Sequence, residues 1–240
     1  MDDFDWGRDT LVALASALKT PLIQLRGGVT DQKDIDTIVS HALDDIDSFL
    51  YAVQSRAEAQ ASMFETTSLG SIMEDAVQNT AVYARMRDIE LRVEDHAKHQ
   101  PVYGHVGTLK KSLELIIKTL CDVPHNTSYF PRPDLSKSEM LNNNGLRLTL
   151  RADTRHGYPR LGAYRPDIEF GALDIHRAHA ILGKTQGPSG NLTQLGALRV
   201  AIASKLLSVV DVKLRSAKAN GERGIAFALL PSNQLGLLEL

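Results

Sequence analysis

The segment from Ile35 to Val53 constrains this chain more than any other. Ile35, Val39, Ala42, Ile46, Phe49 and Val53 alternate steps of four and three, the heptad seam of helices that pack at a shallow angle. Ile38, Leu43 and Leu50 widen the apolar stripe, and a wide stripe suits a four-helix bundle better than a two-stranded coil. Upstream, Leu11, Leu14, Leu18, Leu22 and Leu25 recur at three- and four-residue spacing, predicting a helix over 8–26. Pro21 should kink it by removing a backbone donor and crowding the preceding turn. Gly27-Gly28 ends that helix, and Thr30 or Asp31 can cap the next. Two helices alone bury such a stripe poorly. A homodimer, in which two hairpins make four helices, is the economical solution; packing of one hairpin on the rest of its own chain is the alternative.

Beyond the helical tail 55–62 the pattern changes. Thr66-Thr67-Ser68 makes a boundary with capping potential, and Leu69–Met86 reads as an amphipathic helix. Ile89, Leu91 and Val93 alternate with charged residues as in a half-buried strand. Helices are predicted over Val106–Leu120 and Gly196–Val209. Further strands are predicted at Leu146, Leu148 and Leu150, at Val210, Val212 and Leu214, and at Ile225, Phe227 and Leu229, with a hairpin turn at Asn220-Gly221. The stretches 122–145 and 154–192, rich in Pro, Gly, Asn and Ser, read as long irregular connections. The expected fold class is α+β: a helical hairpin domain over 1–62 and a two-layer α/β sandwich over 63–240.

Composition narrows the function. With 27 basic and 29 acidic residues and a net charge of -2, no basic surface dominates, so nucleic acid is not an expected partner. Cys121 is the only cysteine, which excludes an intramolecular disulfide and a cysteine zinc cluster. No stretch approaches the roughly 18 apolar residues of a membrane span, and the acidic start MDDFDWGRD has no signal-peptide core. A cytoplasmic location is expected.

Five places, in order, carry a family resemblance. Leu14-Ala15-Ser16-Ala17-Leu18-Lys19-Thr20-Pro21-Leu22 resembles the H-box of sensor histidine kinases. Phe64 through Ala76 resembles the lead into their ATP-binding domain, and Val102-Tyr103-Gly104-His105 with Leu109 and Leu113–Leu120 the run into the N-box. Leu195-Gly196-Ala197-Leu198 resembles the G2 box, and Gly221 through Pro231 the final strand. The resemblance covers roughly 8–232 and implies a dimerisation and phosphotransfer hairpin followed by a GHKL-type ATP-binding domain.

The chemistry that the resemblance implies is interrupted. Ser16 stands where the family has its phosphoacceptor histidine, and Ala17 stands in place of the acidic neighbour. A serine hydroxyl needs a base to become a nucleophile, and none is evident in this helix. At the N-box positions that hold magnesium the chain has Leu115 and Thr119. Magnesium demands oxygen ligands, so only the threonine could offer one. Asp153 and Gly157, in the run Asp153-Thr154-Arg155-His156-Gly157, are read as remnants of the adenine-reading G1 box. Gly196 is the one G2 glycine in register, with Gly187 and Gly190 in the preceding loop. No cofactor, no bound metal and no catalytic residue is expected.

Other residues take plainer readings. His96 and His99 lie in a polar connector without a third ligand nearby, and His176 and His179 read as surface or packing residues. His105 reads as a helix cap, Lys110-Lys111 as a solvated face and Trp6 as a packing residue at the start of the hairpin. The function expected is a dimeric scaffold or regulator of two-component type. It would bind a response-regulator receiver domain, or another signalling protein, through Ser16, Lys19, Thr20 and Pro21. The alternative is a divergent ATP-dependent phosphotransferase that uses ATP and magnesium.

Overall fold

The computed structural model describes residues 32–58, 64–97, 101–124, 146–155, 157–168 and 193–229. The first helix of the expected hairpin, with Ser16, Lys19, Thr20 and Pro21, lies outside the described residues, as do Trp6, His99, His176, His179 and the loop glycines Gly187 and Gly190. The second helix, α1, spans Gln32–Glu58. It is followed by β1 (Glu65–Ser68), α2 (Leu69–Arg85), β2 (Ile89–Asp95), β3 (Pro101–Gly104) and α3 (Val106–Asp122). Then come β4 (Leu146–Arg155), β5 (Tyr158–Arg165), α4 (Gln194–Val209), β6 (Arg215–Ala219) and β7 (Glu222–Ala228).

Five strands form one sheet in the order β2-β4-β5-β7-β6, and β1 pairs with β3 in a separate two-stranded ribbon. Only the β2–β4 pair is parallel; the other neighbours in the large sheet are antiparallel. Strand alternation sends Leu148, Leu150, Leu161, Ala163, Ile225 and Phe227 into the core, where they meet Leu113, Ile116, Ile117 and Leu120 of α3 and Val200, Ile202 and Leu206 of α4. Burial of such aliphatic side chains contributes roughly 1.5–3 kcal/mol each and is the main term holding helices and sheet together.

Local signals place the helix starts. The Ser68 hydroxyl accepts from the Ser71 N–H at 3.1 Å, so Ser68 both ends β1 and caps α2. His105 caps α3 as expected, its Nδ1 accepting from the Thr108 N–H at 3.1 Å. Thr193 caps α4 through the Gly196 N–H at 3.0 Å. Asn220 and Gly221, at φ +49° and +84°, make the tight turn that joins β6 to β7, the backbone sign shared by both central residues of a type I′ hairpin.

Two expectations need correction. The connection placed over 154–192 begins with a strand, because β4 continues to Arg155 and turns at once into β5. That turn uses Gly157 at φ +82°. The strand expected at Val210, Val212 and Leu214 begins instead at Arg215. Asp211 takes a left-handed conformation at φ +53°, and the Val212 N–H donates back to the Leu207 carbonyl at 2.9 Å, so this stretch closes α4 before the chain extends. The short strands β1 and β3 carry too few residues for alternation to show, and sequence periodicity missed both.

Candidate functional site

The nucleotide-handling candidates lie on three elements: Thr119 on α3, Asp153 and Gly157 on the β4–β5 hairpin, and Gly196 on α4. Thr119 is fully buried in α3, and its hydroxyl donates to the Leu115 carbonyl one turn back at 2.8 Å. Leu115 is itself in the core. Asp153 lies within β4 opposite Arg160, and the two carboxylate oxygens accept from that guanidinium, Nε to Oδ1 at 2.8 Å. Gly157 is the turn residue of the same hairpin. Gly196 sits in the first turn of α4, with its N–H committed to the Thr193 cap. A surface pocket of about 240 Å³ is lined by Tyr103, Gly104, Tyr158, Val210 to Val212, Ala228 and Leu229, and none of the four candidates lines it.

The intervening β5 also changes which aspartate sits beside the N-box-like helix. β5 lies between β4 and β7, and it leads to Asp167. Arg165, at the end of β5, is fully buried and donates from Nη1 to the carbonyls of Leu120 and Val123 at the end of α3, the latter at 3.1 Å. The same guanidinium donates from Nε to Asp167 Oδ1 at 3.0 Å and from Nη2 to Oδ2. Asp167 therefore lies next to α3, with both carboxylate oxygens held by an internal arginine, while Asp153 stands on the other face of the sheet. A single aspartate in a loop-like run carries no mark of which strand precedes it, and sequence reasoning passed over Asp167 for that reason.

Sequence reasoning also missed the densest polar cluster. Arg199 of α4, 1% exposed, donates from Nε to Asp45 Oδ1 at 2.9 Å and from Nη2 to Asp45 Oδ2 at 2.7 Å. From Nη1 it donates to the Tyr83 hydroxyl at 2.9 Å and to Asp122 Oδ2 at 2.7 Å. Tyr83 in turn donates to Asp122 Oδ2 at 2.6 Å. Arg87 reaches Asp122 Oδ1 through Nε and Tyr83 Oη through Nη2 at 2.7 Å, and its guanidinium lies 3.7 Å from the Tyr83 ring centroid. Burial, reinforced by Asp122, holds the Tyr83 phenol well above its ordinary range. Asp122 closes α3, where a carboxylate opposes the helix dipole, and the two arginines offset that conflict.

The cluster joins four helices, and α1 contributes Asp45 and the neighbouring Asp44. Lys118 pairs with Asp44, as does Lys111 at 3.5 Å. Lys111 also lies 3.3 Å from Glu114, and Lys110 pairs with Asp75 at 3.0 Å. Lys110-Lys111 is thus an ion-paired face and not a merely solvated one. The side of α1 that meets the α/β layers carries Asp45, Ser48 and Phe49, all buried, whereas Val39, Leu43 and Leu50 remain exposed.

No protein-family model matches the sequence, and no curated protein does. Solved structures do resemble the fold. The chain is similar to Acinetobacter baumannii histidine kinase AdeS, at 12% identity over 93% of this chain and 98% of that one, with a TM-score of 0.53. It is also similar to histidine kinase ThkA in complex with response regulator protein TrrA, at 10% identity over 95% of this chain and 63% of that one, with a TM-score of 0.54. Among the described residues no helix is long and apolar enough to cross a membrane. With its four described helices and five-stranded mixed sheet, the chain carries a histidine-kinase-like core fold.

Proposed function

We propose that this protein is a catalytically impaired, histidine-kinase-like component of two-component signalling that acts as a dimeric scaffold or regulator of a protein partner. The observation that carries this reading is the state of the polar groups around α3. The Thr119 hydroxyl is buried and bound within its own helix, and Asp167 is held by Arg165. A pocket that reads adenine and holds magnesium needs an available carboxylate and available oxygen ligands. Ser16 in place of the phosphoacceptor histidine supports the same reading. A homodimer is supported by α1, whose Val39, Leu43 and Leu50 form an exposed apolar stripe at helical spacing. A receiver domain is the partner that fits the retained Thr20-Pro21 element, and the related ThkA structure holds a response regulator.

Thermal unfolding with Mg-ATP, compared with magnesium alone, tests the central claim. A working site at a hundredfold excess over its Kd would add about 2.7 kcal/mol; no shift is expected. A clear shift would favour the phosphotransferase alternative.

A further inference from the structure

We propose that the pocket at the C-terminal end of α4 is a binding site for a small methylated ammonium, recognised by Tyr103, Tyr158 and Asp211. Gly196 sits in the first turn of α4, and the lining residues Val210 to Val212 follow its last residue, Val209. At 16 residues that helix separates the two by about 24 Å. The site is therefore remote from Gly196, and it holds whether or not the chain acts in two-component signalling.

The lining selects the ligand class. A volume of about 240 Å³ falls below the roughly 300–1,000 Å³ of sites for drug-sized ligands and suits a group of a few heavy atoms. Asp211 is the one charged side chain of the lining, which includes no basic residue. An anion finds few donors here, because backbone N–H groups of this wall are already committed. Those of Val210 and Val212 donate to the Leu207 carbonyl at 3.1 and 2.9 Å, and that of Asp211 to the Ser208 carbonyl at 3.3 Å. The Leu229 N–H donates to the Pro159 carbonyl at 2.8 Å. The C-terminus of α4 adds the negative end of its dipole to the Asp211 carboxylate.

Two tyrosine rings strengthen the preference for a cation. Tyr103 reaches the pocket from β3 and Tyr158 from the start of β5, and both remain exposed, at 40% and 42%. The Phe64 ring stacks on Tyr103 with centroids 5.5 Å apart and planes 20° from parallel, which holds that ring in place. Aromatic faces attract a cation through their quadrupole. The side chains of Val210, Val212, Ala228 and Leu229 are apolar and offer no hydrogen bond. A primary ammonium or a guanidinium would give up water there without replacement. Methyl groups on nitrogen need no partner, so a methylated ammonium sets its charge against the rings and Asp211 and its methyls against the apolar wall.

Choline is the probe, titrated into the isotope-labelled full chain and followed by amide chemical shifts, with sodium chloride at equal concentration as the baseline. Shifts at Gly104, Tyr158, Asp211 and Leu229 should saturate, and Gly196 should stay unmoved. Neohexyl alcohol, the neutral analogue with carbon in place of nitrogen, should bind roughly tenfold more weakly, because it keeps the shape and lacks the charge. Asp211→Asn and Tyr158→Ala should each weaken choline about twofold to fivefold. Asparagine tolerates the left-handed backbone of Asp211 at φ +53°, and Tyr158 is exposed, so both variants should fold as wild type does. The comparison of choline with its neutral analogue needs no variant. Absence of saturable shifts, equal binding of the two probes, or unchanged choline binding in both variants would each overturn the proposal.

Discussion

Arg199 and Asp45 stand 154 positions apart and meet through two parallel hydrogen bonds, Nε to Oδ1 at 2.9 Å and Nη2 to Oδ2 at 2.7 Å. This fork geometry suits arginine and not lysine, whose ammonium is a point charge. Through it the helix that carries the heptad seam is tied to the helix that carries Gly196.

Tyr83 supports the same cluster from α2. Tyr83→Phe removes a hydroxyl that accepts from Arg199 and Arg87 and donates to Asp122. The expected loss is about 1–3 kcal/mol, measured by urea denaturation. Burial keeps the wild-type phenol protonated in alkaline solution. The native absorbance titration of Tyr83→Phe should therefore match wild type up to the pH of unfolding.

The Arg165–Asp167 pair is almost wholly excluded from water, at 0% and 1% side-chain exposure. Asp167→Asn removes a carboxylate that accepts two hydrogen bonds from a buried guanidinium and should cost about 3–5 kcal/mol. Replacing both residues with apolar side chains should cost less than Asp167→Asn alone if the charge penalty dominates. Chemical denaturation of the single and double variants compares them.

Burial pushes the Cys121 thiol up to about 12. The thiolate is the reactive form, so the native protein should resist a thiol reagent at pH 8 and react at the rate at which it unfolds. The sign for stability follows. Above the ordinary value of 9.0 the unfolded thiol loses its proton while the folded one keeps it, so stability falls as pH rises from 9.0 to about 12. Cys121→Ser should lose that component of the alkaline slope, read from denaturation midpoints across this range.

The exposed stripe on α1 makes the oligomeric state testable. Leu43→Glu with Leu50→Glu places two charges on residues that are 55% and 46% exposed in the single chain. Such exposed positions have little effect on the stability of one chain. Light scattering should show a dimer for wild type and a monomer for the double variant, with the helical circular dichroism of the α/β domain retained.

Much of the fold was legible along the chain because its signals are local. The α2, α3 and α4 helices have apolar faces and caps within three residues of their starts, and the β6–β7 hairpin has Asn220-Gly221. β5 was not legible: the run YPRLGAYR carries Pro159 and Gly162 among its residues and alternates weakly. Its central place in the sheet comes from pairing with β4 and β7. One extra strand reverses the chain, so that Asp167 lies next to α3 while Asp153 pairs with Arg160 inside the β4–β5 hairpin.

By itself the sequence determined the heptad helix, the capped helices of an α/β layer, and a first predicted helix without histidine. Each of these is set by residue type and by spacings within a few turns. The tertiary structure alone decided that Asp167 is bound by Arg165, and that Asp45, Tyr83, Asp122 and Arg199 share one buried cluster. Those partners come from different elements, and in sequence an ionic residue on a helix reads as exposed. Only packing shows which charges are removed from water and what must then neutralise them.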